Sequence, residues 1–121
     1  MAVLETVMRN AMADAIDTQI NSGTAATLVF ETSGDVEVAT LTFGDPAFGA
    51  AATGVITANS ITDDTSATGG TVAQASIYAD AAKQMEMTVA TSGAESNMSS
   101  LVVAASETVS CSALTITVPA S

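Results

Sequence analysis

Carboxylates are the only plentiful reactive groups in this 121-residue chain: thirteen acids face two cations, Arg9 and Lys83. Two acids can cleave a glycosidic bond when one holds a proton and the other stays ionised across the scissile linkage. Here they are scattered over turn-like stretches and the outer faces of strand-like runs, where a solvated acid is the default. Asp63-Asp64, flanked by Thr62 and Thr65, offers oxygen donors to a hard cation such as Ca²⁺, but the stretch lacks the spaced acids of a calcium-binding loop and reads as a polar turn. Histidine is absent, which removes the commonest general base and the usual transition-metal ligand. Cys111 stands alone in a strand-like run, so it has neither a disulfide partner nor a histidine to activate it, and reads as a small buried residue. No glycine-rich phosphate loop occurs. The expectation is a protein that is not an enzyme, with no catalytic residue, no metal site and no cofactor.

Charge and hydropathy narrow the partners. A net charge of −11 repels phosphate backbones and anionic membrane surfaces, so neither nucleic acid nor membrane is expected as a partner. Hydrophobic residues make up 48% of the chain and mean hydropathy is +0.44, yet aromatics are 3% and tryptophan is absent, so much of the apolar count is alanine. A thin core of this kind is stabilised by burial against copies of itself or a partner, and a homo-oligomer is expected, the alternative being a monomer whose Ala and Val fill a tight sandwich. The N-terminus lacks a basic region followed by an apolar run, and no apolar stretch is long enough to span a bilayer, which points to synthesis in the cytoplasm without a signal peptide.

The elements that must position these residues form one domain, with a helix over 1–21 and strands over 24–119. From Val3 to about Ile20, apolar residues recur at helical spacing, and Val3, Leu4, Val7, Met8 and Met12 form a stripe opposite Glu5, Arg9, Asp14 and Asp17. That stripe is expected to be buried, on the sheet or against a neighbour, and is the candidate interface. Asn21-Ser22-Gly23 supplies the helix stop. Beyond it the period falls to two. Leu28 and Phe30 alternate with Val29 and Glu31, Ser33-Gly34-Asp35 turns, and Ala39, Leu41 and Phe43 alternate with Thr40 and Thr42. Gly44-Asp45-Pro46 ends that run at a corner bracketed by Phe43 and Phe48, and Val55 to Ile61 reads as the returning arm of a hairpin. Thr71 to Ala79 and Gln84 to Ala90 form a further hairpin about Asp80-Ala81-Ala82. In the last run, Thr108 to Val118, the apolar parity switches near Ser112-Ala113, which predicts a bulge or a bend between sheets. The pattern is that of an all-β protein: an antiparallel β-sandwich of seven or eight strands, Ig-like or jelly-roll-like, carrying an N-terminal α-helix.

At VLETVMRNAMADAIDTQINSGT, LTFGDPAFGAAATGVITANSITDDTSATGGT and SALTITVPAS the sequence resembles a family of small tailed-bacteriophage virion proteins, in order and spacing, over most of its length. The family pattern carries a glycine near a longer turn where this chain has Asp80-Ala81-Ala82. The resemblance implies a structural protein of the virion, a capsid decoration or cement protein on the outside of the head with the major capsid protein as partner. It also implies a homo-oligomer, a trimer first, because decoration proteins sit on three-fold positions. A neck, tail or fibre component of the particle and a carbohydrate-binding sandwich are the other readings.

Overall fold

The computed structural model describes residues 2–22, 26–91, 96–97 and 100–120. It is an all-β, sandwich-like fold with an N-terminal helix. Helix α1 spans Thr6–Ile20. The strands are β1 (Thr27–Glu31), β2 (Glu37–Phe43), β3 (Val55–Thr57), β4 (Ile61–Thr62), β5 (Gly70–Thr71), β6 (Gln74–Ala79), β7 (Ala82–Ala90), β8 (Ser96–Asn97), β9 (Val102–Val103) and β10 (Thr115–Thr117). Six of them form one sheet in the order β4-β2-β1-β6-β7-β8, antiparallel except for the short β7–β8 pairing. β10 pairs with β3 and β5 with β9 in two small sheets. Among the described residues ten strands replace the expected seven or eight, because several loops close two-residue ladders.

Period-two patterning sets the faces of the large sheet. Leu28 and Phe30 lie beside Leu41 and Ala39 on one side and Ile77 and Ala75 on the other, so one face is apolar across three strands. These residues join Phe48, Ile56, Leu114, Ile116 and Val118 in a single buried cluster. Phe43 and Phe48 meet across the corner with ring centroids 5.5 Å apart. The opposite face carries Thr27, Val29, Glu31, Gln74, Ser76, Tyr78 and Glu86.

Two register shifts alter that alternation. The pairing slips between Phe30 and Glu31 opposite Ala39 and Glu37, and again where Ile77 faces Met85 but Tyr78 faces Lys83. The second shift leaves Gln84 as an extra residue and turns Lys83 onto the same face as Glu86, which strict alternation would forbid at an odd spacing.

The run from Val55 to Ile61 does not return as one hairpin arm. Val55–Thr57 pairs with β10, Phe48 bridges to Ala58, and only Ile61 and Thr62 rejoin β2. The glycine- and proline-rich 44–54 stretch is long enough to cross to the other layer, and it carries β3 with it. The parity switch in the last run is a bend between layers. Val109 bridges to Asp64, the backbone bends at Ser112 with no regular strand between, and β10 then pairs with β3. The turn Ser33-Gly34-Asp35 is where the sequence places it; the turn expected over Asp80-Ala81-Ala82 is shorter, Asp80-Ala81 with both residues at positive φ, because Ala82 already pairs with Ala79 and starts β7 two residues before Gln84. Gly23, the expected helix stop, lies outside the described residues. No described helix is long and apolar enough to cross a membrane.

Candidate functional sites: a polar network in the sheet and an outward helix face

β1 is the third strand of six, and its last residue, Glu31, is 2% exposed. A carboxylate there needs partners, and the neighbouring strands supply them. Ser76 Oγ donates to Glu31 Oε1 at 2.5 Å, Tyr78 OH to Oε2 at 2.6 Å and Gln74 Nε2 to Oε1 at 3.2 Å. Gln74 also donates to Asp35. Lys83, re-aimed by the bulge, places Nζ 3.4 Å from Glu31, 3.2 Å from Asp35 and 3.0 Å from Glu86, and 5.8 Å from the Tyr78 ring centroid.

The electrostatics of this network hold protons in place. Burial acts to raise the Glu31 pKa, but the hydrogen bonds from Ser76, Tyr78, Gln74 and Lys83 outweigh it and hold the carboxyl below its ordinary value. The hydrogen bond to Glu31, then burial, pushes the Tyr78 hydroxyl up. Lys83 is raised by Glu86 first, against some desolvation, and then by Asp35 and Glu31. A tyrosine, a lysine and a serine within reach of one another can form an acid–base set, but such a set needs pKa values drawn toward neutrality. Here Tyr78 and Lys83 move away from it, and Ser76 is fully buried with its hydroxyl committed. Carboxylate oxygens of Glu31, Asp35 and Glu86 lie within 4.8 Å of one another, close enough for one cation, and the Lys83 ammonium already supplies positive charge among them.

The candidate interface residues are elsewhere and face outward. Val3 is 68% exposed, Val7 82%, Met8 54% and Met12 42%, while Leu4 is half-buried and donates its N–H to the Ala120 carbonyl at 2.7 Å. Val3, Leu4, Glu5, Val7, Met8 and Ala11 line an open groove of about 450 Å³. The expected burial of this stripe on the protein's own sheet is therefore corrected for Val3, Val7, Met8 and Met12, while Leu4 packs partly against the core; the helix turns Ala13, Ile16 and Ile20 inward, together with Arg9, Asn10 and Asp17.

Backbone hydrogen bonding explains the inversion. The 44–54 excursion carries N–H groups with no strand partner, and α1 and its C-cap provide acceptors: the C-cap Asn21 Oδ1 takes the Ala47 N–H at 2.9 Å, Asp14 Oδ1 that of Ala51 at 2.9 Å and Asn10 Oδ1 that of Gly54 at 2.7 Å. Asn21 also donates to Asp17 at 2.7 Å, and Arg9 reaches the Thr53 carbonyl at 3.4 Å and the Thr6 hydroxyl at 3.3 Å. Gly54, at φ +77°, sits so close that a Cβ would lie 3.1 Å from Arg9 Cβ and from the Val118 carbonyl oxygen. The spacing of Asn10, Asp14, Asp17 and Asn21, which repeats at helical period, is the sequence signal for this docking face.

Two further sequence readings change. Asp64 is half-buried and structural: its carboxylate accepts the Thr40 N–H at 2.8 Å and the Ser66 N–H at 2.9 Å, pinning the 62–70 loop to β2. Cys111 is only half-buried, and burial pushes its thiol up while Sγ donates to the Ala113 carbonyl at 3.3 Å. No family model matches the chain, and no curated protein or solved structure is significantly similar to it.

Proposed function

We propose that this protein is a structural component of a tailed-phage virion, a decoration or cement protein seated on the major capsid protein at the outer surface of the head. The virion assignment follows from the resemblance of the helix, corner and C-terminal segments. The observation that carries an assembly role is the outward face of α1: Val3, Val7, Met8 and Met12 are exposed there, while Asn10, Asp14 and Asn21 hydrogen-bond the 44–54 excursion. Exposed, contiguous apolar surface of this kind marks a surface that another molecule covers. The polar network favours the same reading, because its ionisable groups are held in the protonation states that tie strands together and not in those that turn over substrate.

A carbohydrate-binding role is disfavoured by the aromatics. Phe30, Phe43 and Phe48 are buried, and Tyr78 is half-buried with the Lys83 ammonium 5.8 Å from its ring centroid, so no fully exposed aromatic face is offered for stacking among them. The test is a reconstruction by electron cryomicroscopy of the particle, with a co-sedimentation assay on undecorated heads. Density for this chain over the shell, at a copy number on the scale of the capsid subunits, is the expected result. A single ring at the neck or tail, or absence from the particle, overturns it.

A further inference from the structure

We propose that α1 and the 118–120 segment after β10 form a clasp over the 44–54 excursion that opens as one unit while the six-stranded sheet stays closed. This goes beyond the assembly role and does not depend on it.

Gly54 is where the two halves of the clasp meet. Its N–H donates to Asn10 Oδ1 on α1 at 2.7 Å, and its carbonyl accepts the Val118 N–H at 2.8 Å. The space between them is closed from both sides, since a Cβ on Gly54 would lie 3.1 Å from Arg9 Cβ and 3.1 Å from the Val118 carbonyl oxygen. A second bond joins the halves directly, from the Leu4 N–H just ahead of α1 to the Ala120 carbonyl at 2.7 Å. Each half therefore holds the other's partner in place. If α1 lifts, Ala120 loses its donor and the excursion that Val118 binds is untethered at Ala47, Ala51 and Gly54. If 118–120 lifts, the helix loses its anchor at Leu4 and Gly54 is free to turn away from Asn10.

The helix has little stability of its own to resist this. At 15 residues it is marginal in water without tertiary support. Its N-cap Glu5 makes no side-chain capping bond, Arg9 sits in the first turn and Asp17 in the last, each against the helix dipole. Released from the excursion, α1 unwinds.

The six-stranded sheet is held by other means. β1 is paired along its length on both sides, by β2 and by β6, and β6 is paired along its length with β7. Ile56 on β3 and Leu114 and Ile116 beside it are buried in the core, which keeps the β3–β10 pair with the sheet. The clasp meets this body through apolar contact, at Ala13, Ile16 and Ile20, and through an exposed bond from Gln19 Nε2 to Gln84 Oε1 at 3.2 Å. Long backbone ladders lie on one side of the boundary and side-chain acceptors on the other, so the clasp is the part that opens first. Its opening frees the N–H groups of Ala47, Ala51 and Gly54 and uncovers Ile16 and Ile20, giving the chain a second form with the sheet intact and the helix released.

Native-state hydrogen exchange, read residue by residue by NMR on the wild-type chain, Asn10→Ala and Ser76→Ala, tests this. In the wild type the amides of the α1 interior, Ala47, Gly54 and Val118 are expected to share one opening constant, about tenfold or more above that of β1 and β6. Asn10→Ala removes the acceptor at Gly54 and should raise that shared constant about fivefold, the measure of one hydrogen bond, at Val118 as much as at Gly54. Ser76→Ala removes a donor to Glu31 within the sheet, and should speed exchange in β1 and β6 while leaving the clasp constant unchanged. A single constant for clasp and sheet, a Val118 constant different from that of α1, an Asn10→Ala effect confined to Gly54, or a Ser76→Ala effect that reaches α1 overturns the proposal. Circular dichroism checks that each variant folds, and the wild-type comparison decides alone if one does not.

Discussion

The sheet around Glu31 and the outer surface of α1 invert the ordinary distribution of polar and apolar groups in opposite directions. In the sheet, a carboxylate is buried because three neutral donors and an ammonium converge on it. On the helix, apolar side chains are left in solvent because the polar ones are needed underneath, as acceptors for the unpaired amides of the 44–54 excursion. In both places satisfying hydrogen bonds decided which way side chains point, ahead of hydropathy. The energetic consequences differ. A buried, fully partnered network is costly to interrupt, whereas an exposed apolar face can be altered at little cost to the isolated fold.

That contrast can be broken most forcefully at Glu31. Glu31→Ala leaves Ser76, Tyr78, Gln74 and Lys83 without their common acceptor, and unfolding in urea should show a loss of about 3 kcal/mol. Because the folded-state pKa of Glu31 lies below its ordinary 4.5, the native state binds fewer protons than the unfolded chain between the two values. Its contribution is therefore complete above 4.5 and declines as pH falls through the lowered value, and a urea series from about pH 7 to pH 2 should show an acid limb that Glu31→Gln flattens. Met8→Asp should leave the flattening effect to Glu31 alone.

Smaller effects sharpen the comparison at the helix underside. Asn21→Ala strips the acceptor from the fully buried Ala47, and the melt should report a loss of about 1–2 kcal/mol, whereas replacing an outward residue should not. At the Asp80-Ala81 turn, where Ala81 has φ +67°, Ala81→Gly should gain about 1 kcal/mol in the same assay by relieving the left-handed penalty on a β-carbon. The smallest change in stability belongs to Met8→Asp, within about 0.5 kcal/mol in dilute monomer, because a side chain 54% exposed loses little packing. A melt lowered by several kcal/mol would show that Met8 is part of the protein's own core.

The sheet was far more legible in the sequence than the helix's orientation. Period two in Ala39, Leu41 and Phe43 marks their burial because a strand has only two faces. Helical spacing marks a stripe without saying which side is covered. Hydropathy selected Val3, Val7 and Met8, while the deciding feature was a set of amides forty residues downstream. The buried network was hidden for a related reason. Glu31, Ser76 and Tyr78 share a parity that reads as a wet face, and the register shift that brings Lys83 over them depends on how β7 pairs, which no local pattern encodes. The corner at Phe43 and Phe48 was readable, but the destination of Val55–Thr57 was not, since its partner β10 lies near the far end of the chain.

The two cations also bear on proteolysis. Trypsin cuts only after lysine and arginine, so this chain offers it Arg9 and Lys83, one in each of the regions compared. Arg9 lies within α1 against the Gly54 loop, and Lys83 lies in a paired strand inside its ion cluster, so neither peptide bond can enter a protease cleft without local unfolding. Nicking at Arg9 measures how often the helix lifts away, and nicking at Lys83 how often the sheet opens. The protein thus carries one built-in reporter for each region, distinguishable by the masses of the fragments.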